Sequence, residues 1–447
     1  MAKKAALSYQ EEFDAIRAEV GDAGVAAAAS TLKAVCDGIG TSVPEWAATP
    51  YIINEEQLVS LKKAAQILGS IVEKVMAKYQ RDSSFRALFG LDPKIENLTL
   101  VPTGRHAAVP LSRVDVVYNQ ATGDFIISDI MTGGVDGMGA SVEISRAVSQ
   151  TAAARQLADA HGGARTLDPA DEAILSILHT YGSWANAQEG RNHPTHPAVA
   201  VLDVAGSKRT AETAYIIDRM RDRGCFARTT SFDKLRIAEV GGVRQLVDDN
   251  GPITCVWLRA TADEAIASGK GLDALVEATR RGLVCTVGGY RSWPCCARTF
   301  FEVLRHSECR DLLTDEENAF IDKHIPETTV LSTDTDISDF YDQENWVLRG
   351  DDGQGTRGVY AGADLRKQDW RVRLVRGIRR RDAVQAAITP QELSVVSSTG
   401  EVSKKNVLLG LYVYEGRIGG LRAICGTGVS AASWKDRMEM GCLVVKE

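Results

Sequence analysis

Four glycines and two arginines crowd the chain near residue 350: Gly350, Gly353, Gly355 and Gly358 stand with Arg349 and Arg357. Strand-like runs flank them at 345–349 and 358–362. Glycine lets backbone N–H groups approach a phosphate closely, and a nearby cation neutralises its charge. Strand, basic glycine loop, strand is an arrangement that can close over a nucleotide. A tight hairpin with solvated arginines has the same composition, so the stretch alone leaves both readings open. Asp351 and Asp352, inside it, are either metal-facing or an exposed acidic turn.

Other residue types capable of chemistry are scattered. His193 and His196 are each followed by proline, which suits ligands, acid–base groups or a rigid junction turn. Arginines at 371, 373, 376, 379, 380 and 381 read as a solvated helix face, with a phosphate-rich partner as the alternative. Cys295 and Cys296 form a close pair, but no second Cys or His pair at ligand spacing accompanies them. Cys255, Cys285 and Cys425 sit in apolar runs, so the cysteines read as buried free thiols of a reducing compartment.

These residues need a scaffold, and 447 residues suffice for two or three domains. Hydrophobic residues make up 44% and charged residues 25%, an ordinary globular balance. The net charge of -7 argues against a nucleic-acid or membrane-surface binder. No apolar run reaches the roughly 18 residues of a membrane span, and residues 1–10 lack an apolar signal core. The expectation is a cytoplasmic protein.

Apolar spacing of three and four residues predicts helices over residues 1–90, clearest at 55–79. Short strands are expected at 97–101, 114–118 and 124–129, with a hairpin turn at 119–123. Glycine-rich residues 132–139 follow, either lining a pocket or forming a plain loop, and helices return over 142–190. Residues 191–197 read as a turn-rich boundary. Alternating runs then predict strands at 198–204, 225–230, 254–259 and 283–287, and helices at 210–223 and 271–281. That order predicts a parallel, Rossmann-like sheet, without the glycine fingerprint of a dinucleotide site. Thr314 and Glu317 predict a capping box opening a helix. Strands are expected at 329–331, 384–388, 407–414 and 419–425.

Taken together, four stretches resemble the circularly permuted ATP-grasp ligases, which include glutathionylspermidine synthase and related carboxylate–amine ligases. They are 346–362 as the lid, 312–328 as the helix before it, 407–422 as substrate-facing strands, and Arg113–Asp115 with 127–129 as early metal-binding strands. The resemblance implies ATP and Mg²⁺ as cofactors and an amide formed through an acyl phosphate. By position, Arg349 and Arg357 would meet the phosphates, with Gly353, Gly355 and Gly358 in the lid and Gln385 near the adenine. Asp115 and Asp129 would hold Mg²⁺, and Arg113 and Arg422 would meet the substrate carboxylate or the transferred phosphoryl group. The family usually carries lysine at the Arg349 and Arg357 positions, Gln-Glu where Gln385-Ala386 stands, and Glu-x-Asn where Asp129-Ile-Met131 stands.

The expectation is therefore an α+β protein built on an ATP-grasp-like, circularly permuted core with a preATP-grasp Rossmann-like domain. Its parts would be a helical region at 1–95, completing strands and helices at 96–190, a preATP-grasp-like α/β domain at 191–297, and lid and core strands at 298–447. The resemblance implies an ATP- and Mg²⁺-dependent ligase acting on a small-molecule carboxylate and an amine, such as an amino acid or peptide. The alternative is a degenerate member that binds a nucleotide or peptide, or partners an active ligase. A homodimer is the default assembly.

Overall fold

The computed structural model describes residues 8–104, 107–188, 193–207, 209–350, 358–428, 434 and 436–446. Helix α1 (Tyr9–Val20) opens on a capping box in which Ser8 and Glu11 bond each other's backbone N–H. Helix α2 (Val25–Gly38) follows, and then strand β1 (Trp46–Asn54) departs from the helical expectation for 1–90. Pro50 hides this strand in the sequence, and the register shifts between Ala47 and Tyr51 to accommodate it. Asn54 and Gln57 cap the long α3 (Glu55–Arg81), whose Leu58, Leu61, Ala65, Leu68, Val72, Val75 and Tyr79 form one buried stripe. Helices α4 (Ser83–Ala87) and α5 (Pro93–Thr99) complete this part. The strand expected at 97–101 is thus replaced by α5, because Asp92 caps it and Pro93 takes its first position.

Strands β2 (Leu111–Tyr118) and β3 (Phe125–Met131) form the expected hairpin. The Asn119 side chain accepts the Ala121 N–H at 2.9 Å, and Gly123 takes a φ of 74° in the turn. Then come α6 (Met138–Ser149), α7 (Ala152–Ala160), the two-residue β4 (Ala164–Arg165) and α8 (Pro169–Asn186). The α/β stretch contains β5 (Ala198–Asp203), α9 (Thr210–Asp222) and β6 (Phe226–Ser231). An antiparallel set follows: β7 (Arg236–Val240), β8 (Val243–Asp248) and β9 (Gly251–Ile253). The stretch closes with β10 (Cys255–Leu258), α10 (Ala262–Ala267), α11 (Lys270–Arg280) and β11 (Cys285–Val287). The sheet β11-β10-β5-β6 is parallel throughout, as the alternation predicts.

Helices α12 (Phe300–Arg305), α13 (Ser307–Arg310) and α14 (Asp315–His324) follow, the last carrying the expected Thr314–Glu317 capping box. A small antiparallel sheet has the order β12-β15-β13-β14. Its strands are β12 (Thr328–Val330), β13 (Trp346–Arg349), β14 (Val359–Ala361) and, after helix α15 (Lys367–Arg380), β15 (Ala383–Ala386). The chain finishes with β16 (Gln391–Val396), β17 (Val402–Tyr414), β18 (Arg417–Gly426) and β19 (Met438–Val445).

The large sheet runs β1-β19-β18-β17-β2-β3, with β16 along β17 and β4 along β19. Its strands come from two distant stretches, 46–131 with β4, and 391–445. One apolar face packs on α3 through residues such as Leu61, Leu68, Leu409 and Leu421. The other meets α6, α8 and the parallel sheet through Met138, Ile174, Val199 and Tyr412. All nine cysteines are free thiols, seven buried and two (Cys36 and Cys296) half-buried. Among the described residues, no helix is long and apolar enough to cross a membrane.

Candidate functional site

A cavity of about 400 Å³ lies between the large sheet and the small antiparallel sheet. Strand pairing explains which side chains reach it. Asp115 on β2 stands opposite Asp129 on β3, and Arg113 opposite Met131. Directly opposed residues share a face of the sheet, so these four project into the cleft together. Gly410 on β17 faces Asp115 on one side and Arg422 on β18 on the other. A Cβ at Gly410 would lie 2.9 Å from the Arg113 Cδ, so the missing side chain makes room for the arginine.

A charge network fills this floor. Arg113 grips Asp115 with a two-pronged contact, Nε to Oδ1 at 2.7 Å and Nη2 to Oδ2 at 3.0 Å. Its Nη1 reaches Asp136 Oδ1 at 2.9 Å, and its Nη2 meets the Met131 sulfur at 2.8 Å. Arg422 grips Glu439 through Nε at 3.0 Å and Nη2 at 2.5 Å, and its Nη1 shares Asp136 Oδ1 at 3.1 Å. Asp136 therefore bridges two arginines. Burial works against its charge, but Arg422 and Arg113 outweigh that and hold its carboxyl well below the usual range. Burial likewise opposes the charges of Arg113 and Arg422, yet Asp115 and Glu439 respectively push their pKa values above the usual one.

Arg437 behaves differently. It is half-buried, and among the described residues its nearest ion-pair partner is Glu439 at 3.7 Å, which Arg422 already grips. Burial, then the like charge of Arg422, depress its pKa, and Glu439 only partly offsets them. Its charge lacks the compensation its neighbours enjoy.

The small sheet supplies the opposite wall. Arg349 on β13 reaches across to Asp129 Oδ2 at 2.8 Å and donates to the Ser128 carbonyl at 2.5 Å. It also donates to Gln385 Oε1 at 3.0 Å. Gln385 is only 3% exposed, and its Nε2 has no hydrogen-bond partner. Apolar groups continue this wall, with Val347, Val359 and Ile388 facing Val117, Leu408 and Ile424 of the large sheet. The cleft thus has an apolar end and an arginine end. Gly133, Gly134, Arg209 and Thr261 line its edge nearest the parallel sheet.

Of the residues expected from sequence, Arg113, Asp115, Asp129, Arg349, Gln385 and Arg422 all line this cavity. Gly358 sits at the base of the β13–β14 hairpin, where its carbonyl accepts the Gly350 N–H at 2.7 Å. Gly353, Gly355 and Arg357 lie outside the described residues, as do Asp351 and Asp352. His193 packs its ring 4.5 Å from that of Trp184, away from the cleft. On α15, Arg371 and Arg373 lie over the rings of Tyr341 and Tyr360 at 4.3 and 3.6 Å. Sequence reading missed Asp136, Arg437, Glu439 and Arg209. A signal existed for Glu439, an acid embedded between buried Met438 and Met440.

The expected Mg²⁺ site does not fit these side chains. All four oxygens of Asp115 and Asp129 are already engaged: two accept from Arg113, one is ion-paired with Arg349 at 2.8 Å, and one accepts the Ile130 N–H at 3.0 Å. The third family position is a methionine, whose sulfur is a poor ligand for a hard cation. Among the described residues, no group of three His, Cys, Asp or Glu side chains is placed to hold a metal. The reason is the arginines: Arg113 holds Asp115 two-pronged, and Arg349, which stands where the family usually has lysine, spends one nitrogen on Asp129.

No protein-family model matches the chain, and no curated protein matches it. Among solved structures, the chain is similar to a glutathione synthetase-like effector from Globodera pallida, in its apo form. The TM-score is 0.60 at 10% identity, over 94% of this chain and 96% of that one. A putative gamma-glutamylcysteine synthetase from Methylobacillus flagellatus KT gives a TM-score of 0.38 at 12% identity, over 81% and 83%, too low to carry an argument. The first likeness runs the length of both chains, and this chain accordingly has the mixed α and β fold of that glutathione synthetase-like protein.

Proposed function

We propose that the chain is a carboxylate–amine ligase of the ATP-grasp kind, binding ATP between its large sheet and the small sheet β12-β15-β13-β14. One observation carries this reading: the cleft is lined both by apolar side chains and by arginines, among them the loosely paired Arg437. Gln385 lines the same space, and its buried amide nitrogen has no hydrogen-bond partner among the described residues. The likeness to a glutathione synthetase-like protein supports the same class. A core sheet drawn from both 46–131 and 391–445 supports the circularly permuted form, and the parallel sheet supports a preATP-grasp-like domain.

The chemistry would run in two steps. A carboxylate oxygen of the substrate attacks the γ-phosphorus of ATP, and ADP leaves. The amine then attacks the acyl carbon, inorganic phosphate leaves, and the ammonium proton is lost to give the amide. Arg422 and Arg437 would offset charge on the transferred group, which is the main service a site gives phosphoryl transfer. Arg113 would hold Asp136 and shape the floor. The test is phosphate release from ATP, screened over amino acids and short peptides as carboxylates and amines. Release that requires both partners, with a new amide seen by mass spectrometry, is expected.

A second reading is a binding protein on the same scaffold that performs no transfer. The locking of Asp115 and Asp129 by Arg113 and Arg349 favours it. ATP binding without phosphate release under any substrate pair would select this reading.

A further inference from the structure

We infer that the cleft binds its polyanionic ligand through arginine alone, with no divalent cation held by the protein. The inference rests on the nucleotide-binding reading above and concerns how that ligand's charge is met. Asp115 and Asp129 are the carboxylates placed across the β2–β3 pair where a shared cation would sit. Each is already neutralised by an arginine from the chain itself. Arg113 covers both oxygens of Asp115, and Arg349 reaches over from the facing sheet to Asp129. A divalent ion entering here would displace a guanidinium or sit within a few ångströms of one, and both cost Coulomb energy.

Arg349 also does structurally what a bridging metal would do. It ties β13 of the small sheet to β3 of the large sheet through Asp129 and the Ser128 carbonyl, and it fixes Gln385 on β15. The two walls of the cleft are therefore linked before any ligand arrives. Met131 fits this arrangement as it does not fit a metal site: its sulfur rests against Arg113 Nη2. Arg437 at the cleft's edge is then the group that receives the ligand's negative charge, since Arg113, Arg349 and Arg422 each hold a closer carboxylate. A phosphate ester or inorganic polyphosphate chain matches that chemistry.

The experiment is calorimetric titration of the full chain with ATP and with inorganic triphosphate, once in Mg²⁺ and once in EDTA. Affinities in the two buffers are expected to agree within about threefold, and Arg437→Gln is expected to weaken both by about tenfold or more. Binding that falls by more than about tenfold in EDTA overturns the inference while leaving the nucleotide reading intact. Binding in neither buffer removes the nucleotide reading and the inference together. As a second arm, Arg349→Lys combined with Met131→Asn frees Asp129 and adds an oxygen ligand. That variant is expected to acquire Mg²⁺-strengthened binding that the parent chain lacks, and wild-type protein already showing tight Mn²⁺ binding by electron paramagnetic resonance would overturn the inference.

Discussion

Two clusters of buried and half-buried arginines lie side by side, and they are built on different principles. Beside the parallel sheet, Arg259 is 1% exposed and meets Glu212 at 2.6 Å, the Val135 carbonyl at 2.7 Å and the Trp257 ring at 5.0 Å. Its neighbour Arg209 grips Asp203 with two nitrogens and reaches Glu264 at 2.8 Å. Each charge there has its own carboxylate. In the cleft, Arg113 has Asp115 and Arg349 has Asp129, but Asp136 is shared by Arg113 and Arg422, and Glu439 serves Arg422 closely and Arg437 distantly. A structural cluster satisfies its charges internally. A cluster that holds one of its cations only at a distance leaves that cation placed for a charge from outside.

The comparison breaks most visibly if the first cluster proves dispensable. Glu212→Gln strips the buried Arg259 of its countercharge, and urea unfolding is expected to show a loss of about 3–5 kcal/mol. An unchanged midpoint would mean that Arg259 is not held in the way described. Acid should act on both clusters alike. Burial opposes the charges of Asp203 and Glu439, but their arginine partners hold both below the usual carboxylate range. The unfolded chain therefore takes up protons first, so stability is full above about pH 5 and falls as pH drops toward and through the folded values. Unfolding free energies measured from pH 7 down to pH 3 should decline only in the acidic part. A decline that began near neutrality would contradict this.

Arg437→Gln sharpens the contrast. Half-buried and loosely paired, it should cost less than about 0.5 kcal/mol of stability. Binding of ATP should nevertheless weaken by about tenfold, or about 1.4 kcal/mol. Equal losses of stability and binding would place Arg437 with the structural arginines. Met131→Leu should do least to binding, and it should cost below about 1.5 kcal/mol in stability because the volume is conserved. It should leave ligand affinity untouched, and a changed Mg²⁺ response would show that the sulfur matters to the ligand.

Much of the scaffold is legible from local pattern. The β2–β3 and β17–β18 hairpins follow from alternation around turn residues, and the parallel sheet from its alternating runs. The α14 cap follows from Thr314 and Glu317. What escaped depends on distant or competing signals. β1 carries an interior proline, and its partner β19 lies at the other end of the sequence. The β7–β8 hairpin has its Gly241-Gly242 turn, with φ of 61° and 77°, but its strands are exposed and polar and give little apolar alternation. At the site, residues were found where a family pattern pointed. Asp136 falls within 132–139, a stretch read as either pocket lining or plain loop, and Arg437 lies outside the family-like stretches and is brought in by the folded geometry. The pairing of Arg349 with Asp129 joins residues that no local spacing could link.

The seating of β19 between β1 and β18 also sets a timetable. At about 5–20 residues per second, roughly 20–80 s of synthesis separates β1 from the strand it pairs with. During that interval a strand buried on both faces in the finished molecule waits without its neighbour. Helix α3, which follows it directly and packs on the same core, is the shelter available to it meanwhile. Loss of residues 438–445 would not trim an edge: it would pull a plank from the middle of the sheet, stranding β1 and removing Glu439 from under Arg422.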